Sequence, residues 1–200
     1  MLQQPKNWQE VKASAERVAL PVGAYLCKIL GAKVADYTDK TGNQYSKLEM
    51  AFDITEGEYA GHFQRDFDAQ TQEDKKWKGV LRQYIAKDDG TQQDEWTKSN
   101  FKAMVDAVEE SNVGYHFDWD EKSLKGKAVG CLFRNTQWVM DGKSGWKAQP
   151  FKFLPTDRVR SGKFTIPADL KHKNAPVNID IVGGNADSFA VVADDEDLPF

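Results

Sequence analysis

The sequence predicts a mainly β domain with helical additions, of the α+β class, built on five strands. Three observations predict it. Residues 45–54 alternate strictly between apolar and polar side chains, the period of a half-buried strand. The middle of the chain switches to helical spacing, and residues 124–154 return to β-compatible runs broken by Asp141-Gly142-Lys143-Ser144-Gly145, a hairpin signal.

At the N-terminus, Trp8, Val11, Ala15 and Val18 share one face at helical spacing, so Asn7 to Leu20 reads as a short amphipathic helix that Pro21 ends. Gly23 to Val34 reads as the first strand, followed by a loop over Asp36-Tyr37-Thr38-Asp39-Lys40-Thr41-Gly42-Asn43, which is rich in turn formers. In the second strand, Leu48, Met50, Phe52 and Ile54 face one way, and Tyr45, Lys47, Glu49 and Asp53 the other. Glu56 to Gly61 turns the chain, and His62 to Asp68 alternates again as a third strand.

Trp77, Val80, Leu81, Tyr84 and Ile85 then fall at i, i+3, i+4, i+7 and i+8, and Phe101, Met104, Val105 and Val108 repeat the pattern. Two helices are therefore expected between the third and fourth strands, the second capped by Ser99 or Asn100. Strands resume at Leu124 to Arg134, continue through Thr136 to Met140, and return through Trp146 to Leu154.

A chain of 200 residues holds one substantial domain and one tail. The composition is that of a soluble protein, 40% hydrophobic and 29% charged, and no apolar run is long enough to span a bilayer. No basic-then-apolar leader opens the chain, so a cytoplasmic location is expected. Cys27 and Cys131 stand alone in apolar segments and read as buried, reduced core residues.

The formal charge of −4 conceals an asymmetry. Six acids and no Lys or Arg fall between Val177 and Phe200, which leaves 27 basic against 25 acidic residues in the rest. We expect a domain over residues 1–173 and a flexible acidic tail over 174–200.

Three strands, a helical insertion and a late hairpin, preceded by an N-terminal helix, is the order of an OB-fold, a five-stranded barrel whose strand face and two loops bind oligonucleotides. The last residues are more specific. Ala193 and the run Asp194, Asp195, Glu196, Asp197, Leu198, Pro199 and Phe200 resemble the acidic C-terminal tip of bacterial single-stranded-DNA-binding proteins. The overall plan is similar to that of phage-encoded members of this group. The resemblance covers the last eight residues. It implies binding of single-stranded DNA without catalysis or cofactor. It also implies recruitment of helicases, exonucleases, polymerase-associated factors or recombination mediators by the tip. A terminal Phe offers one ring and a carboxylate to a pocket flanked by Arg or Lys, and Pro199 lowers the ordering cost.

Single-strand binding needs aromatic faces for stacking and cations along the backbone path. Lys33, Tyr37, Lys40, Tyr45 and Lys47 supply both around the first loop. Arg134, Trp138, Lys143, Trp146, Lys147 and Lys152 supply both on the late hairpin. Lys75, Lys76, Lys78 and Arg82 around Trp77 form a secondary basic cluster, and residues Arg158 to Lys173 a further basic stretch.

Alternatives of other kinds are an RNA-binding or adaptor OB domain, and a metal-dependent nuclease built on Glu49, Asp53, Asp66 and Asp68. No Walker-type loop, Gly-x-Ser-x-Gly or His-Glu-x-x-His occurs, and His62, His116 and His172 are scattered.

Overall fold

A computed structural model describes residues 3–6, 8–9, 18–39, 41–141 and 143–172. The alternation read in the second strand is realised as β2 (Gln44–Ile54), where Leu48, Met50, Phe52 and Ile54 are buried. β2 pairs antiparallel with β1 (Ala24–Thr38), and β1 also pairs antiparallel with β4 (Ala128–Met140). β5 (Lys143–Leu154) and β3 (Val80–Tyr84) form the two edges, giving the order β3-β2-β1-β4-β5. The sheet is open, antiparallel and five-stranded, with a few helices added.

β1 is shared unevenly. Its residues 24–28 pair with β4, residues 27–38 pair with β2, and the register shifts between Ile29 and Gly31. Such a bulge bends a strand and increases its twist, and here it rolls the sheet. Phe52 of β2 and Phe153 of β5 have ring centroids 5.7 Å apart. Three strand spacings in a flat sheet would separate them by about 14 Å. The rolled interior holds Ile29, Phe52 and Phe133, all fully buried. The long helix α2 (Gln92–Ser111) closes it with Met104, Ala107 and Val108.

Two segments exchange their predicted roles. His62 to Asp68, expected as a strand, is helix α1 (His62–Asp68). Its Phe63 and Phe67 are four apart, a spacing that serves one face of a helix as well as one face of a strand. The helical choice follows from Asp53, whose carboxylate accepts the N–H groups of Phe63 (3.0 Å) and Gln64 (3.1 Å) at the helix start.

Conversely, the first predicted insertion helix is the edge strand β3, with Leu81 opposite Met50 and Tyr84 opposite Lys47. Gly79 permits this pairing. Its N-terminal approach is so close that a Cβ there would lie 2.4 Å from the Phe52 carbonyl oxygen and 2.6 Å from the Phe63 ring. A single long helix, α2, therefore separates the third and fourth strands. It starts earlier than Ser99 or Asn100, because Thr91 caps it by accepting the Asp94 N–H.

Smaller boundaries also move. β1 runs on through Tyr37 to Thr38, and before β2 the Asp39 carboxylate accepts the N–H groups of Thr41 and Asn43. Leu124, expected in a strand, lies in a 3-10 turn (Glu121–Leu124) that precedes β4. Most of the predicted helix Asn7–Leu20, and the whole tail over 174–200, fall outside the described residues. Cys27 and Cys131 are both free and buried, as expected. Among the described residues, no helix is long and apolar enough to cross a membrane.

Candidate nucleic-acid interface

The early candidates gather on the outer face of β1, β2 and β3. Residues opposite one another in antiparallel strands share a face, so Tyr37 with Tyr45, Lys47 with Tyr84, and Lys33 with Glu49 and Arg82 form one surface. Tyr37 and Tyr45 stack at 5.5 Å and 10°, and Tyr84 follows at 5.5 Å from Tyr45. The Lys47 ammonium lies 4.2 Å from the centroid of Tyr84 and 5.5 Å from each of the other two rings. Only 5% of Lys47 is exposed, so its charge is held by aromatic faces rather than presented to a ligand.

Glu49 ties the rest of this face together. It accepts from the Tyr37 hydroxyl, from Arg82 Nε at 2.7 Å, and sits 3.4 Å from Lys33 Nζ. Burial pushes the Glu49 carboxyl up, but the bonds from Tyr37 and Arg82 outweigh it and hold the group below its ordinary value. Burial and the bond to Glu49 both raise the Tyr37 hydroxyl. Lys33 and Arg82 thus share one carboxylate, and Lys47 lies among the tyrosine rings. Lys40 lies outside the described residues.

The late candidates occupy the hairpin of β4 and β5. The register places Trp138 opposite Gly145, Thr136 opposite Lys147, Arg134 opposite Gln149 and Leu132 opposite Lys152. These share the face turned away from the buried Phe133. A bulge between Leu132 and Phe133 leaves Phe151 without a β4 partner, and its ring takes the Arg134 guanidinium at 4.6 Å and the Lys152 ammonium at 5.8 Å. Lys143, Lys147 and Lys152 are exposed. Neither strand contains an Asp or Glu. The result is a stripe of cations interleaved with aromatic rings on two strands that contain no acid.

Trp146 is the exception among the late candidates. It lies opposite Gln137, on the other face of the hairpin, and is 44% exposed. The second half of β4 leaves β1 behind, and its free edge is bridged by Leu170, with Gln137 N–H donating to the Leu170 carbonyl at 2.8 Å. The basic stretch after α3 (Thr156–Arg160) thus runs back along the hairpin.

The two candidate groups are brought together internally but not with each other. β1 and β4 are antiparallel, Tyr37 lies near the C-terminal end of β1, and Trp138 lies near the C-terminal end of β4. They therefore extend toward opposite ends of the sheet. Sequence reasoning missed Tyr84, which it placed on a helical stripe, and Phe151, whose exposure depends on the bulge. The Tyr84 signal was present as β-compatible residues over 80–84.

The secondary cluster around Trp77 is not a helix face. Lys76 pairs with Asp74, Lys78 with Asp66, and Arg82 with Glu49, while Lys75 lies 5.6 Å from the Phe67 ring. The carboxylates considered for a nuclease have local tasks too: Asp53 caps α1, Asp66 holds Lys78, and Asp68 accepts from Gln64 at 3.0 Å. Among the described residues, no group of three or more His, Cys, Asp or Glu could hold a metal ion. The terminal run Asp194 to Phe200 lies outside the described residues.

No protein-family model matches this chain, and no curated protein matches it either.

Proposed function

We propose that this chain is a non-catalytic single-stranded-DNA-binding protein that coats the strand along the outer face of β4 and β5. The observation that carries the reading is the stripe of Arg134, Lys147 and Lys152 interleaved with Trp138 and Phe151, on two strands that contain no acid. Cations along such a path neutralise phosphates, and each stacked base contributes roughly 1–3 kcal/mol. The tyrosine face of β1–β3 is a second stacking surface, supported by three contiguous rings and weakened by its internal charge pairing.

The finer fold assignment is part of the same proposal. An OB-fold is a partly open, five-stranded barrel. A rolled five-strand antiparallel sheet with a central first strand, a helix after the third strand and a projecting late hairpin is compatible with it. We further propose that Asp194 to Phe200 recruit DNA-processing proteins in a bacterial cytoplasm, on the strength of the tip's resemblance to bacterial and phage single-stranded-DNA-binding proteins.

The test is a tryptophan-fluorescence titration of the full chain and a 1–193 truncation with oligo-dT, oligo-U and duplex DNA at two salt concentrations. Tight, salt-sensitive binding to oligo-dT but not to duplex is the expected result. Preference for oligo-U would reassign the ligand to RNA, and equal weakness for all three would reject the reading. The truncation is expected to retain oligo-dT binding while losing association with DNA-processing partners.

A further inference from the structure

At the base of the hairpin a cleft of about 250 Å3 opens between β5 and the chain that follows α3. The buried Leu132 and Leu154 form its apolar side, Phe164 stands at the wall, and Lys152, Arg158 and Lys163 supply three cations. No acid lines it. Among the described residues, none of the three cations is in an ion pair.

The fold brings these residues to one cleft. Val159 seats α3 on the bare backbone of Gly130, where a Cβ would come 2.4 Å from Val159 Cγ2. The Arg160 guanidinium grips Glu56 with bonds of 2.7 and 3.3 Å, which ties α3 to the segment after β2. The helix then ends in a Schellman turn. Gly162 adopts φ 66°, its N–H returns to the Val159 carbonyl, and the Lys163 N–H returns to the Arg158 carbonyl at 2.9 Å. Arg158 and Lys163 are thereby folded onto one another, and β5 adds Lys152.

Three cationic residues beside an apolar wall offer an anion several charge-assisted hydrogen bonds. An anion with an apolar body satisfies both halves of the lining. We propose that this cleft is a phosphate-binding site for one nucleotide unit, with the phosphate on Lys152, Arg158 and Lys163 and the sugar or base against Phe164. The proposal rests on the reading of the hairpin face as a nucleic-acid interface, since Lys152 belongs to both. The phosphate is either an internal phosphodiester or a terminal phosphomonoester.

The test titrates the full chain with thymidine 5′-monophosphate and with inorganic phosphate, followed by backbone amide NMR shifts. Saturable shifts at Arg158, Lys163 and Phe164 are expected, with at least tenfold weaker binding in the double variant Arg158→Ala with Lys163→Ala. The charge-conserving pair Arg158→Lys with Lys163→Arg is expected to retain binding. No saturable shifts in the unaltered chain, or unchanged affinity in the alanine variant, would overturn the site whatever oligo-dT does. If thymidine 5′-monophosphate binds while oligo-dT does not, the single-strand reading fails and the phosphate site stands.

Oligo-dT with and without a 5′-phosphate separates the two sources. A threefold or greater preference for the phosphorylated end, lost in the alanine variant, assigns the terminal phosphate. Equal affinities, both reduced in that variant, assign the backbone.

Discussion

Trp138 lies against Gly145 across the hairpin, so closely that a Cβ on residue 145 would come 2.7 Å from Trp138 Cζ2. The glycine is what lets a bulky ring settle on the outer face between Lys147 and the hairpin turn. Gly145→Val is expected to displace the ring and lower oligo-dT affinity about tenfold, the loss of one stacked base. Anisotropy titration measures the affinity, and the thermal midpoint checks that the domain itself is intact. Unchanged affinity would remove Trp138 from the interface.

The two lysines with opposite surroundings should behave in opposite ways. Lys47 is buried among Tyr37, Tyr45 and Tyr84, whereas Lys147 is exposed on the cationic stripe. Lys47→Ala is expected to cost about 1–2 kcal/mol of stability by denaturant unfolding, with little change in the salt dependence of DNA binding. Lys147→Ala should leave stability unaltered and reduce the slope of log affinity against log salt by about 0.7, one phosphate contact on a single strand.

Glu49 makes the early face sensitive to acid. Its folded-state carboxyl titrates below the ordinary 4.5, so the stability it contributes is complete above that value and is lost as pH falls through the lower folded-state value. Glu49→Gln should therefore be less stable than the unaltered chain at pH 7, and the gap should close as pH drops below 4.5. Urea midpoints at pH 7, 5 and 3.5 measure it. A gap independent of pH would mean that packing, not charge, is what Glu49 supplies.

Phe52 anchors the rolled core of the sheet. It touches Phe63, Phe133 and Phe153 with centroid distances of 5.5, 6.2 and 5.7 Å and is fully buried. Phe52→Ala should destabilise the domain by about 3–5 kcal/mol in denaturant unfolding. Because α1 and β5 both lean on this ring, loss of protection in hydrogen exchange is expected in both segments together.

The class of the fold, the alternating second strand, the late hairpin and its basic, aromatic composition were legible in the residues themselves. Periodicity is a local property, and the burial of Leu48, Met50, Phe52 and Ile54 requires nothing from afar beyond a core to face. The cationic residues of the hairpin could be named from the sequence for the same reason: its one acid, Asp141, falls in the turn, and neither strand contains another.

What only the tertiary structure decided was which short segments paired. His62–Asp68 and Val80–Tyr84 each carry apolar spacings that suit a helix or a strand. The outcome depended on Asp53 capping one and on Gly79 letting the other approach β2. Tyr84 joined the tyrosine face by that pairing, and Phe151 came under Arg134 through a bulge. The cleft of Lys152, Arg158 and Lys163 likewise needed α3 to fold back onto Gly130. Partners distant in sequence set these contacts, and a periodicity of seven or eight residues contains no information about them.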